Sequence, residues 1–210
     1  MEDAQRVILS FDIGVKNLAV AAITPGDGAE AGAEDSPYKL YAWRIISLAA
    51  EKEKIPSVNE LSGRLFMALD ELVGTELDGC VVDTVLLENQ PSRLNGAMKS
   101  IQMMIYSYFQ LRRHWEGLVR NVHMVSASQK LQHHVYDVGL PEKSKTGYEL
   151  NKWKAIQYAL KYIEGDSVLE AHFAKHKKKD DLADALLQVI SWLRKHNKDV
   201  MKVTSALKST

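Results

Sequence analysis

The chain has 210 residues, of which 46% are hydrophobic, enough apolar material for one well-filled globular domain. Its 27 basic side chains balance its 27 acidic ones, so the net charge indicates no particular partner and any basic surface must be local. The single cysteine, Cys80, excludes an internal disulfide and cysteine-based zinc sites. Because the sequence has no apolar run of about 18 residues and no signal-like start, we expect a soluble intracellular protein with no membrane partner.

The first half of the chain predicts four strands and one helix. Apolar, largely β-branched runs predict strands at 7–14, 17–23, 38–45 and 81–87, of which the first two form a hairpin. Residues 25–37 are rich in Gly, Ala, Asp and Glu and predict a surface loop. Apolar side chains at helical spacing predict a helix over residues 57–73, which Ser57 and Glu60 would begin with a capping box.

The second half is dominated by helices. Helical spacing predicts helices over residues 96–115, 151–163 and 180–195, and an apolar run predicts a strand over 119–125. Between them we expect a short helix within residues 126–136 and a polar loop over 139–147. Because no internal repeat or second composition regime occurs, we predict one α/β domain over residues 1–210, with a mixed sheet flanked by helices.

Acidic residues stand out at three places in the chain. Asp12 is set within the first apolar strand, and Glu88 closes the fourth. Asp180, Asp181 and Asp184 share one face at the start of the last helix. A carboxylate buried at a strand costs desolvation energy unless a cation or several donors meet it. Each place also has an ordinary explanation, since a strand-end Glu can reach water or a lysine, and acids at a helix start cap free amides.

Taken together, the three places suggest one shared site. Two carboxylates on neighbouring strands and a pair on one helix face can converge on a single spot, where they would repel one another. Two Mg²⁺ ions would neutralise such a cluster, because hard cations prefer oxygen ligands. Paired metal ions also promote the in-line attack of water on a phosphodiester. The pattern therefore favours a metal-dependent nuclease.

The three acidic segments resemble the motifs of the poxvirus-type Holliday junction resolvases, relatives of bacterial RuvC and of the yeast mitochondrial cruciform-cutting enzymes. The segments are 11–17 (FDIGVKN), 86–91 (LLENQP) and 178–184 (KKDDLAD), and they occur in the family's order. The resemblance implies an RNase H-like fold and a homodimer that cuts four-way DNA junctions by paired symmetric nicks. It further implies two Mg²⁺ ions per active site, for which Mn²⁺ can substitute. The implied metal ligands are Asp12, Glu88, Asp181 and Asp184, with Asp180 as a neighbouring non-ligand.

Basic residues near these segments are candidates for contacts with DNA. The family places a functional lysine at the start of the helix before the acidic one, and the sequence NKWK at 151–154 leaves both Lys152 and Lys154 as counterparts. The further candidates for DNA contacts are Lys177, Lys178, Lys179, Arg93 and Lys99. The lysine run abuts the acidic cluster, where a phosphate backbone would need positive charge, and the other two follow the Glu88 strand. Each of these side chains could instead be an ordinary solvated lysine or arginine.

The helix over residues 96–115 carries apolar side chains on more than one face. A helix packed on one side of a sheet needs a single apolar stripe. Methionine and aromatic residues, here including Met103, Tyr106 and Trp115, are typical of protein interfaces. We therefore predict that this helix forms a two-fold homodimer seam. The alternative is a helix sandwiched between the sheet and another helix.

Three other functional classes compete with a junction resolvase. An actin-like or sugar-kinase ATPase also starts with a strand that carries Asp-x-Gly, but it would need a second glycine-rich phosphate motif and about twice the length. Another nuclease of the same fold, with RNase H or exonuclease activity, stays open. A non-catalytic DNA-binding module would not need the acidic set, so a metal titration separates it from a nuclease.

Overall fold

A six-stranded mixed sheet forms the centre of the computed structural model, which describes residues 5–24, 38–90, 96–141, 145–196, 198 and 200–207. The strands are β1 (Gln5–Asp12), β2 (Leu18–Ile23), β3 (Lys39–Ile46), β4 (Cys80–Glu88), β5 (Val119–Val125) and β6 (Thr204–Ser205). They lie in the order β5-β4-β1-β2-β3-β6. The sheet is mixed because β2 runs antiparallel to β1 and β3, whereas β4 runs parallel to β1 and to β5.

Five α-helices cover the two faces of this sheet within the described residues. They are α1 (Val58–Glu71), α2 (Gly96–Trp115), α3 (Gly147–Ile163), α4 (Ser167–Lys175) and α5 (Lys179–Lys195), and a π-helical turn (Leu72–Glu76) follows α1. One face is covered by α1 and α2, and the other by α3, α4 and α5. Ser57 and Glu60 form the predicted capping box at the start of α1. The predicted α/β class with a mixed sheet flanked by helices is confirmed, and no helix of the described chain is both long and apolar enough to cross a bilayer.

Several element bounds differ from the prediction. β1 ends at Asp12, so Asp12 is the last residue of the strand rather than an interior one. α3 starts at Gly147 rather than at residue 151, which places Lys152 inside the helix. Only a 3₁₀ turn, Ala127–Leu131, forms within residues 126–136. The prediction omits α4 and β6, because nine and two residues are too few for a clear periodicity. The predicted loop at 25–37 lies outside the described residues.

Alternation along β1 and β4 decides which face of the sheet each side chain points to. Val7, Leu9 and Phe11 of β1 pack towards α1 and α2, as do Val85 and Leu87 of β4. Successive side chains of a strand point to opposite faces, so the residues between and after them face α5. Asp12 and Glu88 therefore point to the same face of the sheet. The parallel register pairs Phe11 with Leu87, one residue before each acid, so the two carboxylates lie side by side.

A glycine makes the turn after Asp12 possible. A Cβ atom added at Gly14 would lie 2.5 Å from the main-chain oxygen of Asn17, closer than any real contact of that kind. A side chain there would push the turn open. β1 ends at Asp12 and the chain returns as β2 from Leu18, so Lys16 lies in the short connection between the two strands.

Candidate active site

Three carboxylates converge on one ammonium group at the carboxyl ends of the central strands. The Nζ atom of Lys130 lies 2.5 Å from Oδ1 of Asp12, 2.7 Å from Oε2 of Glu88 and 3.0 Å from Oδ2 of Asp184. These distances are those of short, charge-assisted hydrogen bonds. The side chain of Lys130 is 8% exposed and those of Asp12 and Glu88 are 13% exposed, whereas that of Asp184 is 32% exposed.

Helix α5 brings the third carboxylate to the sheet. Gln188 of α5 is buried, and its Nε2 atom donates to Oγ of Ser10 at 2.9 Å and to the main-chain oxygen of Leu86 at 3.3 Å. This one amide therefore ties the helix to both β1 and β4. Asp184 lies one turn earlier on the same helix face, since residues four apart are neighbours on a helix. It is thus carried to the level of Asp12, two residues beyond Ser10 in β1.

The sequence prediction did not include Lys130, the group at the centre of the cluster. Lys130 lies in the 3₁₀ turn directly after β5. Because β5 pairs in parallel with β4, it ends at the same edge of the sheet as Glu88. One signal was present: Lys130 is the one basic residue between 126 and 132. The sequence could not show that β5 lies beside β4, because local sequence patterns do not specify the order of strands in a sheet.

The turn that carries Lys130 is held by hydrogen bonds to its main-chain carbonyl groups. Ser191 of α5 donates to the carbonyl of Gln129 at 2.7 Å, and Arg194 of α5 donates from Nε to the carbonyl of His133 at 2.7 Å. Nε2 of His134 lies 2.6 Å from the carbonyl of Lys130. Since a carbonyl can only accept, Nε2 carries the hydrogen. The lysine is therefore delivered to the acidic cluster from a turn fastened to α5.

The backbone of this turn is strained at one residue. Among the described residues, His133 is the one non-glycine residue with a positive φ, at 64°. A side chain disfavours that region, so the conformation persists only where its surroundings hold it. The hydrogen bond from Arg194 to the His133 carbonyl supplies such a hold.

Burial and mutual repulsion perturb the cluster's ionisation. Burial raises the pKa of Asp12 well above its ordinary value, and it raises the pKa of Asp184 as well, although the charge of Lys130 opposes both shifts. Burial also acts to raise the pKa of Glu88, but the hydrogen bond with Asp12 and the charge of Lys130 outweigh it, so that pKa is lowered. Burial would lower the pKa of Lys130, yet the three carboxylates raise it. The ammonium is therefore charged throughout the physiological range.

A cavity of about 600 Å³ opens beside the cluster and contains the remaining acids of α5. Asp181 lines this cavity, and burial together with the charge of Asp180 raises its pKa to about 6. Asp180 forms an ion pair with Lys152, 2.5 Å between Oδ2 and Nζ, and this ammonium also lies 4.6 Å from the centre of the Tyr148 ring. Of the two candidate lysines, Lys152 is the one that lines the cavity.

The donor set matches a hard cation in its chemistry, although in the described part of the chain no three His, Cys, Asp or Glu side chains are spaced as metal ligands. The Lys130 ammonium stands where the three carboxylate oxygens converge. Three carboxylates against one ammonium leave an excess of negative charge when all are ionised. Carboxylate oxygens with excess negative charge are the ligands that Mg²⁺ and Mn²⁺ prefer. The residues therefore suit such an ion once the lysine side chain withdraws.

The predicted DNA contacts fall into different environments. Lys177 and Lys178 are exposed and line a second cavity of about 410 Å³ with Lys16, which follows β1. The Lys179 ammonium instead donates to the main-chain oxygen of His176 at 3.1 Å. The Lys99 ammonium donates to Oε1 of Gln102 within its own helix at 3.0 Å. Arg93 lies outside the described residues. The basic surface beside the cluster is therefore made by Lys16, Lys177 and Lys178.

An exposed stripe runs along the outer side of α2. Ile101, Ile105 and Phe109 are buried against the sheet. Met103, Leu111 and Trp115 are 43%, 58% and 77% exposed and fall within about 120° of the helix circumference. Tyr108 packs against α1, and its hydroxyl donates to Asp70 at 2.6 Å. α1 thus covers one flank of α2, while the stripe formed by Met103, Leu111 and Trp115 faces away from the sheet. The predicted dimer seam stays a prediction.

Solved structures of Holliday junction resolvases share this fold. The yeast mitochondrial Holliday junction resolvase Ydc2 matches with a TM-score of 0.58 and 18% identity, over 91% of this chain and 80% of that one. The fowlpox virus Holliday junction resolvase matches with a TM-score of 0.54 and 17% identity, over 90% and 99%. RuvC of Thermus thermophilus, solved both alone and with a Holliday junction substrate, matches with a TM-score of 0.50 and 14% identity, over 90% and 96%. The chain therefore has the predicted RNase H-like resolvase fold.

Sequence comparison finds similarity to a viral protein over about half of this chain. No protein-family model matches the chain. Uncharacterized protein L451 of Acanthamoeba polyphaga mimivirus is 32% identical over 115 residues. The aligned segment is 51% of this chain but only 28% of L451, so this viral relative is much longer than the part that matches.

Proposed function

We propose that this protein is a structure-selective endonuclease that resolves four-way (Holliday) DNA junctions by paired symmetric nicks. One observation carries the proposal: Asp12, Glu88 and Asp184 meet at one point. This point lies at an edge of a sheet that solved Holliday junction resolvases share. A buried acidic cluster serves no packing purpose, whereas two-metal phosphodiester hydrolysis uses carboxylates to hold its ions.

Two Mg²⁺ ions, or Mn²⁺ in their place, would be held by Asp12, Glu88, Asp181 and Asp184. When bound, such ions supply an activated water and stabilise the charge that develops on the phosphate. The protein's part is to fix these carboxylates: Gln188 ties the helix that carries Asp184 to the two strands. Rigid positioning of this kind is what a two-metal reaction needs from its protein.

Basic side chains around the cluster would bind the DNA backbone. Lys152 places a positive charge in the main cavity, where Asp180 orients it. Lys16, Lys177 and Lys178 form a basic cavity on the other side of the α5 start. Phosphates that cross the acidic cluster need such charges, because carboxylates alone would repel them. We assign Lys154, Lys179 and Lys99 a smaller contribution, because none of them lines either cavity.

Paired nicking requires two active sites in one complex, and we propose that the outer stripe of α2 joins two copies of the chain. A four-way junction has strands related by two-fold symmetry, and a homodimer with a two-fold axis presents two equivalent sites to them. The exposed Met103, Leu111 and Trp115 supply the apolar and aromatic side chains typical of an interface core.

A comparison of substrates tests the proposed activity. The protein is incubated with Mg²⁺ and one of three labelled substrates, namely a four-way junction, a linear duplex of the same sequence and an RNA–DNA hybrid. The Asp12→Asn variant serves as the inactive control. We expect cutting of the junction at symmetric positions and none of the other two. Preferential cutting of the hybrid would identify an RNase H, and stepwise loss of nucleotides from ends would identify an exonuclease. Metal-independent binding without cutting of any substrate would indicate a DNA-binding module.

A further inference from the structure

The ammonium of Lys130 occupies the point where the three surrounding carboxylates would hold a metal ion. We propose that this ammonium is a built-in counter-ion: it offsets part of the negative charge of the carboxylates in the metal-free protein, and it must leave them when a divalent cation binds. Lys130 would therefore set the metal affinity of the site. This inference rests on the proposed function, because it takes Mg²⁺ or Mn²⁺ as the competing cation.

The ammonium of Lys130 and a divalent metal ion cannot occupy this site at the same time. The ammonium nitrogen lies within 3.0 Å of oxygens from Asp12, Glu88 and Asp184. Mg²⁺ binds oxygens at about 2.0–2.1 Å and requires a near-octahedral shell. An ion held by the same three oxygens would occupy the space of the nitrogen, and two positive charges at that separation would repel strongly. One cation therefore has to replace the other.

The lysine is positioned by the fold rather than by chance. Its turn is fastened through the carbonyl groups of Gln129 and His133 to Ser191 and Arg194 on α5, the helix that also carries Asp184. The main chain at Lys130 is therefore fixed relative to the cluster. Only a movement of the side chain can take the ammonium away from the carboxylates. Lysine has four flexible methylene groups, so its ammonium can swing without moving the turn. The cavity of about 600 Å³ beside the cluster gives it room.

Competition of this kind weakens metal binding by a calculable factor. The apparent dissociation constant equals the intrinsic one divided by the fraction of molecules in the binding-competent state. If the ammonium leaves the carboxylates in about 1–10% of molecules, the apparent affinity is about 100-fold to 10-fold weaker than the intrinsic affinity. Removal of the Lys130 charge should therefore strengthen metal binding by that factor. It should also leave the metal-free carboxylates without their counter-ion and lower the stability of that form.

Lys130→Met tests the inference, because methionine retains much of the side-chain length without the charge. Lys195→Met is the matched control, since this lysine is exposed in the last turn of α5, far from the acidic cluster at the start of that helix. Mg²⁺ binding to DNA-free protein is measured by calorimetry, and thermal unfolding is measured in EDTA and in Mg²⁺. We expect Lys130→Met to bind Mg²⁺ about 10-fold to 100-fold more tightly, to melt earlier in EDTA and to gain more from Mg²⁺ than the unmodified protein. Lys195→Met should keep the original affinity. Unchanged or weaker binding by folded Lys130→Met protein would overturn the inference.

A second measurement uses the unmodified protein and does not depend on the folding of a variant. Amine acetylation, read by mass spectrometry, reports whether the Lys130 side chain is accessible. We expect Lys130 to be protected in EDTA and to become reactive when Mg²⁺ saturates the site. Protection that persists in saturating Mg²⁺ would show that the ammonium does not leave. A protein that cuts junctions yet keeps Lys130 protected would refute this inference alone, whereas one that neither binds Mg²⁺ nor cuts junctions would refute the proposed function with it.

Discussion

The salt dependence of junction binding offers a quantitative check on the basic cavity beside the acidic cluster. Lys16, Lys177 and Lys178 line this cavity, and if each of them contacts a phosphate, each releases counter-ions on binding. On duplex arms each contact contributes about 0.9 to the slope of log affinity against log salt. Replacement of all three lysines by alanine should therefore reduce the slope by about 2.7. Between 50 and 200 mM salt the unmodified protein should lose about 40-fold more affinity than the triple variant.

The assay measures junction binding over a series of salt concentrations, with every variant built on Asp12→Asn so that the junction stays intact. Lys195→Ala is the matched control, because it lies at the far end of α5, about 24 Å along the helix from Lys179. Lys179→Ala should also change the slope little, since Lys179 does not line this cavity. An unchanged slope in the triple variant would refute the assignment and leave these lysines as solvated surface.

Three further outcomes follow from the site and its surroundings. Asp12→Asn and Asp184→Asn should each reduce junction cutting by more than about 100-fold, because each removes a metal ligand. Junction binding should be kept or tightened, because each also removes a charge that repels phosphate. More than about 10% residual cutting in both variants would contradict the metal assignment. Met103→Glu combined with Leu111→Glu should give a folded monomer by sedimentation that loses symmetric paired cutting first, whereas an unmodified protein that is monomeric both free and on a junction would exclude the seam. Burial lowers the pKa of His172 in the folded protein, so its contribution to stability should be present above the ordinary imidazole pKa of about 6.5 and be lost as the pH falls below it. His172→Gln should therefore lose less stability between pH 7 and pH 5 in urea unfolding, and an equal loss would assign the acid sensitivity to other groups.

The parts of this fold that the sequence predicts are those with a strong local signal. α2 has the predicted bounds because its apolar spacing is sustained over five turns. Asp12 and Glu88 could be singled out because a carboxylate in an apolar strand conflicts with its surroundings. Their faces also follow from the period of two.

The parts that the sequence could not predict depend on neighbours distant in the chain. Lys130 looks like an ordinary polar-turn lysine until β5 is known to lie beside β4. The same holds for Gln188, whose amide joins a helix to two strands. The choice of Lys152 over Lys154 needed the position of α3 relative to α5, and Lys16 gained a candidate role only because its turn ends beside the start of α5.

The wide spacing of the acidic cluster along the chain has a consequence for the newly made protein. Lys130 and Asp12 are 118 residues apart, and Lys130 and Asp184 are 54 apart. Contacts of such high contact order form late, because long loops must close first. During synthesis the chain emerges from its N-terminus, so α5 and its aspartates come after every strand that carries the other acids. A nascent or incompletely folded chain holds at most part of the carboxylate set, and a nuclease built this way would not cut DNA before its fold is complete.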